Sequence, residues 1–556
     1  VTVTAGASND AAAIIEDRKA ATTISETISA VEISKDTASS AAGILARAPG
    51  VSLVKEFVYV RGLGERYSNT SLNNSILPTT EPDRKVVPMD LIPSNLLQNV
   101  RILKTFTPDQ PGEFSGGLVK LDTVELPRAA SLSLSYSLGF NSQTVGEDFL
   151  NYPGGGLRDF FGFGRRHRAL PGGVPQNERV LREVIVGGQV ILPGLTPAEL
   201  QALGRSFENI WNPRAASARP DNGWSISGGD SFGKFGVVGA LSFKNELNTR
   251  DEIKNFYQIS GEDQITPSST YDYTSSRTTA RLGGAFNLTY ELSKNNKFFF
   301  KNFLTNQGID ETRIFGGFNQ DRGTTLRNTR LRYIQERIYS GQLSGDHILS
   351  WAGDTIFTWR YTYSRATLDE PDLREVLYEF SPVANDFIYF NQTQSLFRLF
   401  NKMRENLREP AFDLSKFFFL GSKALNIKAG ASYINRDRVF DSRRFRFVPR
   451  DLQGVDTTQS PEQLLVPINI SPDRGFELRE ETRTTDHYDA LHNITAGYLM
   501  GDLSFGKWRF IGGARVERSI QRVQTFEPYR PEFQPVFANL ADTDWLPSIG
   551  IAYNFL

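Results

Sequence analysis

The chain has 556 residues, and 62 Lys and Arg residues are balanced by 63 Asp and Glu residues, so the formal net charge is −1. This balance argues against a nucleic-acid partner, which selects for a basic face. The chain contains no cysteine and four histidines, which excludes disulfides and thiolate sites and argues against a histidine-rich metal centre.

The first part of the chain, to about Pro127, has the mixed pattern of a small α/β globule. A helix is predicted over Ser39–Arg47, where Pro49 and Gly50 stop it. Short apolar runs follow, separated by loops rich in Pro, Asn and Asp. The runs that we predict to be strands are Val51–Val54, Phe57–Val60, Val100–Leu103 and Leu118–Leu121.

After Pro127 the pattern changes to strict alternation of apolar with small or polar residues. In Ser131–Phe140 every second residue is apolar, from Leu132 to Phe140. This period of two predicts strands with one apolar face. The pattern recurs to the end of the chain, and we count about twelve strands. Mean hydropathy is −0.34. A polar average with 40 Phe, 19 Tyr and 47 Gly is typical of a transmembrane antiparallel β-barrel.

The predicted connections alternate between short and long. Short turns are predicted at 233–236, 293–296, 352–354, 420–423 and 506–507. Long polar segments are predicted at 142–222, 250–275, 316–330, 371–399, 446–480 and 526–543. Short turns at one end and long loops at the other are typical of outer-membrane barrels, whose short side is periplasmic. A soluble β-sandwich or propeller is the alternative, although neither needs one end of every hairpin to be long.

The longest connection, 142–222, is too long for a simple hairpin and predicts a folded external cap or lid. It contains Phe160, Phe161 and Phe163 in an aromatic and basic stretch, and a helix is predicted near Pro197–Trp211. The three phenylalanines are candidate substrate contacts. Alternatively, they only pack the loop onto the barrel rim.

Several motifs of the N-terminal globule resemble the plug domain of TonB-dependent outer-membrane receptors. They are Arg47–Val51, Val60–Tyr67, Pro82–Ser94, Val100–Thr105 and Pro108–Val119. The resemblance implies a plug at 20–127 inside the lumen of a transmembrane β-barrel at 128–556. It also implies active import of a scarce substrate across the bacterial outer membrane, with remodelling of the plug as the gate.

The resemblance implies partners as well. The chain begins Val1-Thr2-Val3-Thr4-Ala5, which resembles a Ton box, the segment on which TonB and its inner-membrane energising complex pull. Alternating β-branched residues at a free chain end also favour an extended segment that adds a strand to the sheet of a partner. The small, polar remainder of 1–19 is a plausible tether, and the N-terminus is expected in the periplasm. Alternatively, this segment is a frayed end of the plug. Outer-membrane lipid and lipopolysaccharide are the expected surroundings.

The family places polar tips of the plug toward the outside, where the substrate lands. In this chain the tips are 65–74 and 79–85, and the candidate substrate contacts are Arg66, Tyr67, Asn69, Asp83 and Arg84. Alternatively, these side chains only hold the plug against the barrel wall. For Arg61 that structural role, as a latch between plug and barrel, is the one we expect.

Twelve strands conflict with the size of the plug. They close into a barrel of roughly 12 Å radius, whereas a globule of about 125 residues is roughly 36 Å across. About 22 strands give a radius of roughly 22 Å, which holds the plug. We therefore expect the chain to cover only part of the barrel, or another chain to complete it. The final strand, Ser548–Phe555, weakly resembles the terminal strand of a complete barrel, which argues the other way.

No catalytic motif is evident, so an enzyme is not expected, and neither a metal site nor a cofactor is predicted. The resemblance implies a small substrate such as a carbohydrate or a ferric siderophore. The alternative function is a plug-bearing barrel that serves as a structural, adhesive or complex-anchoring component. Deletion of Val1–Ala5 distinguishes the two, because it abolishes uptake and leaves anchoring intact.

Overall fold

The computed structural model describes residues 24–555, except 37, 56, 125, 127–128, 177, 262–263, 422, 526–534 and 554. The Ton-box-like segment Val1–Ala5 lies outside the described residues, as does the predicted boundary between plug and barrel. No helix in the described part of the chain is long and apolar enough to cross a membrane.

The N-terminal globule is built on a five-stranded sheet in the order β1-β6-β7-β4-β5, with β2 and β3 as a separate hairpin. The strands β4 and β7 are parallel. In chain order the elements are β1 (Ser25–Ser29), α1 (Ala30–Lys35), α2 (Ala41–Leu45), β2 (Val51–Val54), β3 (Phe57–Val60), β4 (Ser68–Leu72), β5 (Ser75–Ile76), β6 (Leu97–Leu103) and β7 (Gly117–Thr123). The four predicted strands are all present.

Local signals explain where these helices begin. The hydroxyl of Ser29 accepts a hydrogen bond from the Glu32 backbone, and Glu32 reaches back to the Ser29 backbone, so a capping box starts α1. Helix α2 is shorter than predicted, because it begins after Ser40, whose backbone pairs with Pro93. Its residues Ile44 and Leu45 are buried in the core of the globule.

The rest of the chain forms one large antiparallel sheet and the segments attached to it. Its first half contains β8 (Ser131–Gly139), β9 (Asp148–Asn151), α3 (Leu157–Phe160), β10 (Val184–Val186), β11 (Gln189–Leu192), α4 (Pro197–Ser206), β12 (Arg214–Ser217), β13 (Asp221–Phe232), β14 (Phe235–Ser260), β15 (Gln264–Ser293), β16 (Asn296–Asn319) and β17 (Thr324–Leu349). Its second half contains β18 (Thr355–Ser381), β19 (Asp386–Tyr389), β20 (Phe397–Leu420), β21 (Lys423–Pro449), α5 (Pro461–Leu464), β22 (Phe476–Glu480), β23 (His487–Phe505), β24 (Trp508–Thr525) and β25 (Val536–Tyr553).

The main path of this sheet has twelve strands, as predicted: β8, β13 to β18, β20, β21 and β23 to β25. Each pairs with the next, while β19 and β22 add to the ends of β18 and β21. Within the described residues the edge strands β8 and β25 do not pair with each other, so the barrel is not closed.

The short turns lie where the sequence predicts them, but the strands are longer than predicted. Segments 250–275 and 316–330, expected as loops, are mostly strand, because β14 runs to Ser260 and β16 to Asn319. The strict alternation of apolar residues does not continue into these ends of the strands. The ladder of backbone hydrogen bonds does not need that alternation and continues beyond it.

The sheet curls around the N-terminal globule, which is therefore a plug. Thr305 donates a hydrogen bond to the Leu91 carbonyl, and Asn287 donates one to the Thr123 hydroxyl. Successive side chains of a strand point to opposite faces, so these contacts define an inner face that holds the plug. Leu241, Phe286 and Leu304 are exposed on the opposite, outer face.

Candidate functional site at the plug apex and the facing wall

The apex of the plug is formed by the turn Glu65–Tyr67 and the loop 79–85. Arg84 joins the two through an ion pair of 2.8 Å with Glu65, and its guanidinium lies 4.7 Å from the ring centre of Phe57. The Tyr59 hydroxyl donates a hydrogen bond to Glu65, which raises the pKa of Tyr59 and lowers the pKa of Glu65. These contacts therefore hold the turn and the loop of the apex together.

Four of the five predicted tip residues are exposed at this apex: Arg66, Tyr67, Asp83 and Arg84. The fifth, Asn69, is buried in β4, where its Nδ2 donates a hydrogen bond of 2.8 Å to the Glu113 carbonyl. Asn69 therefore supports the apex from below. Its predicted contact with substrate, like those of the other four residues, stays a prediction.

Arg61 lies in a tight turn below the apex. Its φ is +56°, and its backbone N–H donates a hydrogen bond of 2.9 Å to the Gly50 carbonyl. Its side chain is exposed, and it forms no ion pair with another described residue. The latch between Arg61 and the barrel stays a prediction.

The apex lies toward the long-loop end of the sheet. The Thr80 hydroxyl donates a hydrogen bond of 2.6 Å to Glu336, near the middle of β17. The Pro82 carbonyl accepts one of 2.8 Å from the Tyr488 hydroxyl, near the long-loop end of β23. At the other end, Leu126 packs closely against Gly236, beside the first short turn.

A half-buried charge cluster joins the plug to the wall beneath the apex. Lys85 Nζ lies 2.5 Å from a Glu113 carboxylate oxygen, and His492 Nε2 lies 3.9 Å from the other. Burial lowers the pKa of Lys85, against the attraction of Glu113. Burial alone would raise the pKa of Glu113, but Lys85 and then Arg436 outweigh it, so this pKa lies below its ordinary value.

The wall above the apex presents basic and aromatic side chains on the inner face. Because Thr305 and Gln307 face the plug, the odd-numbered residues farther along β16 face the same space. The inner-face residues of the strands above the apex include Lys254, Tyr273, Arg277, Arg313, Phe315 and Arg330.

These wall residues form an aromatic platform with cations around it. The rings of Tyr273 and Phe315 stack with their centres 4.6 Å apart. Lys254 Nζ lies 4.2 Å from the centre of the Tyr273 ring, and the Arg313 guanidinium lies 5.6 Å from it. Each such contact contributes roughly 0.5–2 kcal/mol, more as water is excluded.

Two arginines of the wall lack a carboxylate partner. Arg330 is paired with Glu375 at 3.0 Å, but Arg277 and Arg313 form no ion pair with any described residue. Their Nε atoms are buried and have no hydrogen-bond partner there either. This space can therefore attract an anionic or aromatic ligand.

The three phenylalanines of the long connection lie elsewhere. Phe160 and Phe161 pack against Phe243, with ring centres 5.3 and 5.2 Å away, and Phe163 lies under Arg337. Phe243 is on the outer face, because Lys244 next to it is on the inner one. The connection thus covers the outside of the sheet at this point, which agrees with the packing alternative. The structure does not bring these rings to the apex.

Among the described residues, no three His, Asp or Glu side chains are grouped to hold a metal ion. The wall residues were missed from the sequence. The signal was present, since Tyr273 and Arg277, like Arg313 and Phe315, stand at even spacing on their strands. Such spacing along one strand does not reveal which strands are neighbours or how far the plug extends along them.

Comparison with known proteins agrees with this architecture. Residues 17–117 match the family model described as the TonB-dependent receptor plug domain. No curated protein sequence matches the chain. The chain is similar in structure to the siderophore receptor PiuA from Acinetobacter baumannii, with a TM-score of 0.52, 10% identity, and coverage of 96% of this chain and 62% of PiuA.

The chain is also similar to the ferric-catecholate import receptor Fiu from E. coli K12. The TM-score is 0.52 at 9% identity, over 96% of this chain and 68% of Fiu. The chain thus spans less than two thirds of the length of PiuA and about two thirds of Fiu. Residues 17–117 therefore match the plug domain of TonB-dependent receptors, and the chain as a whole shares the fold of PiuA and Fiu.

Proposed function

We propose that the chain provides the plug and part of the barrel wall of a TonB-dependent importer in the bacterial outer membrane. The substrate binds between the plug apex and the wall above it. TonB then acts on the N-terminal segment, on the periplasmic side, and the plug moves to open a path. The plug match and the fold shared with import receptors support this proposal.

We further propose that the substrate is anionic and carries aromatic groups, as a ferric catecholate does. The observation that carries this choice is that Arg277 and Arg313 form no ion pair with a described residue and lie beside the stacked rings of Tyr273 and Phe315. A neutral carbohydrate would stack on the rings but would not use the two positive charges. Fiu, a receptor of the same fold, is named for ferric catecholates.

Uptake of ⁵⁵Fe-labelled catecholate complexes by cells tests the substrate. We expect the double variant R277Q/R313Q to take up the complex at least tenfold more weakly, because it removes two positive charges from the wall above the apex. The matched control is R404Q, since Arg404 is exposed on the outer face of β20. Unchanged uptake in R277Q/R313Q would refute the anionic substrate.

A second experiment tests energisation and separates import from anchoring. We expect deletion of Val1–Ala5 to abolish uptake and leave ligand binding at the cell surface intact, because only the coupling to TonB is removed. If uptake persists, Val1–Ala5 is not the Ton box. If wild-type cells take up no ligand but the protein still holds a surface partner, the anchoring alternative is correct.

A further inference from the structure

An apolar groove of about 560 Å³ lies across β13 to β17 on the outer face of the sheet, away from the plug. Glycines form its floor: Gly228 pairs with Gly239 between β13 and β14, and Gly284 follows on β15. The side chains along the groove are exposed and apolar: Leu132, Ile226, Leu241, Phe286 and Leu304. Its volume lies within the range of ligand sites, and its lining fits an extended apolar group.

The end of the groove on β17 is polar. Tyr339 and Asn302 line it there, and the Tyr339 hydroxyl donates a hydrogen bond of 3.1 Å to Asn302. Arg337 is the next residue of β17 on the outer face, because every second residue of a strand shares a face. Arg365 pairs directly with Tyr339 from β18. The two arginines therefore lie beside this end of the groove.

Arg337 and Arg365 are close enough to bind one ligand together. Both are exposed, and neither forms an ion pair with another described residue. Because Arg337 pairs with Thr367 and Arg365 pairs with Tyr339, the two arginines are diagonal neighbours, with their Cβ atoms roughly 7–8 Å apart. Two long side chains at this spacing reach the same phosphate, and each guanidinium can donate two hydrogen bonds to it.

The long connection adds a third arginine above these two. Arg165 lies 2.9 Å from Asp369, and the ring centre of Phe163 lies 5.9 Å from the Arg337 guanidinium. Arg337 also donates a hydrogen bond of 3.3 Å to Asn306, which has no charge. Asp369 thus balances only one of the three arginines, so this part of the outer face attracts an anion.

The polar end of the groove lies where the headgroups of a membrane would be. From Tyr339 to Leu349, beside a short turn, β17 rises roughly 25 Å at about 3.3 Å per residue and a tilt near 40°. The apolar band of a membrane barrel has about this height, and aromatic residues such as Tyr339 border it. Asn302 pairs with Gly341, so the groove lies on the short-turn side of the arginines, within the band.

We propose that the groove and the two arginines bind one phosphorylated glycolipid of the outer leaflet. A phosphate lies on Arg337 and Arg365, and one acyl chain lies in the groove. The long-loop end of an outer-membrane barrel is external, and a basic cluster at headgroup level attracts anionic lipid. The inference rests on the proposed location in the outer membrane, but not on import.

Native mass spectrometry of the purified full chain in detergent tests this binding. The probe is lipid A, the acylated disaccharide of lipopolysaccharide, in its diphosphoryl and its dephosphorylated form. We expect the diphosphoryl form to bind at least tenfold more tightly, because only its phosphates engage the arginines. Excess inorganic phosphate should not displace it, since free phosphate does not use the groove, and displacement would overturn the proposal in favour of a phosphate site.

A double variant tests the arginines. We expect R337Q/R365Q to weaken binding of the diphosphoryl form at least tenfold and to leave binding of the dephosphorylated form within twofold. The matched control is R518Q/R522Q, which removes two exposed arginines from the outer face of β24. This control should bind both forms within twofold of the wild type.

A single variant tests the groove. We expect G239L to weaken binding of both forms several-fold, because the leucine side chain fills the groove. An added Cβ at Gly239 has only the Ala285 oxygen near it, at 4.0 Å, so the backbone accepts the change. The matched control is G497L on the outer face of β23, where the only near atom is the Gly430 oxygen at 3.9 Å.

Circular dichroism in detergent shows whether each variant is folded. The proposal is overturned if the wild type binds neither form of lipid A, if it binds both equally, or if R337Q/R365Q binds like the wild type. It is also overturned if folded G239L binds like the wild type, because the acyl chain then lies elsewhere. If G239L fails to fold, R337Q/R365Q still decides the outcome, since it changes only exposed side chains.

Discussion

Asp372 accepts hydrogen bonds from the guanidinium groups of both Arg374 and Arg398, and all three side chains are buried on the outer face of the sheet. Arg374 also donates to the Ile210 carbonyl at 2.6 Å, and Arg398 donates to the Glu208 carbonyl at 2.9 Å. Asp372 thus pairs with two arginines that hold the end of the long connection against β18 and β20, and the exposed Glu208 pairs with Arg374 at 3.6 Å.

We expect Asp372→Asn to detach this part of the connection. Loss of the carboxylate leaves two buried guanidinium groups side by side, at a cost of about 3–5 kcal/mol. Asn accepts the left-handed backbone of Asp372, whose φ is +61°, so the variant changes charge and not conformation. Hydrogen exchange of 197–211 is the measurement, and D386N, at an exposed position of β19, is the control. Equal protection in both variants would contradict the prediction.

A second prediction concerns Glu113, which lies between Lys85 and His492. We expect Glu113→Gln to loosen the plug, because Lys85 then has no carboxylate beside it. The folded pKa of Glu113 is lowered, so its contribution is present above the ordinary carboxyl pKa and is lost as pH falls through the folded value.

Hydrogen exchange of β4 and β7 between pH 3 and pH 7 measures this loss. The wild-type plug should lose protection on acidification, and E113Q should show a smaller loss. E32Q in α1 is the control, because Gln keeps the capping-box hydrogen bonds of Glu32 while one carboxylate is removed. A plug whose acid response is unchanged in E113Q would count against the charge cluster as a support.

A third prediction concerns Lys120 in β7. Burial, and then the nearby Arg101, lower the pKa of Lys120 to about 8. Between this value and the ordinary lysine pKa the unfolded plug binds more protons, so plug stability should rise with pH above about 8. We expect Lys120→Met to remove this rise and to stabilise the plug at pH 7 by on the order of 3 kcal/mol, at 1.36 kcal/mol per pKa unit. Exchange of β6 and β7 amides checks both, and a lower stability of K120M at pH 7 would refute it.

A fourth prediction concerns the approach of Gly162 to the sheet. A Cβ at Gly162 would lie 2.9 Å from both the Ala280 oxygen and the Gly308 nitrogen. We expect Gly162→Ala to displace the segment 157–168. Gly146 is the matched control, because it also has a positive φ but has nothing within 4 Å of its added Cβ. Limited proteolysis should cleave G162A near this segment faster than G146A. Equal rates would show that the backbone strain shared by both variants, and not the close contact of Gly162 with the sheet, determines cleavage.

The sequence predicted most of what depends on local pattern. Alternation gave twelve strands, Gly and Asn placed the short turns, and the run Val51–Val54 became a strand with the predicted bounds. The ends of the strands on the long-loop side were missed, because their sequences lose the apolar period of two while the backbone pairing continues.

The path of the long connection was not predictable either. Its place on the outer face depends on Arg168 meeting Asp310, which is 142 residues away in the chain. The wall above the plug was missed for the same reason, since Tyr273 and Phe315 become neighbours only through the register of β15 and β16.

The length of the strands sets the height of the sheet. The 30 residues of β15, at about 3.3 Å each, span roughly 100 Å, which becomes a height of about 75 Å at a tilt near 40°. An apolar band of about 25 Å takes up one third of that height. About two thirds of the height of β15 therefore lies outside such a band, which leaves the long-loop end of the sheet as a tall rim above it.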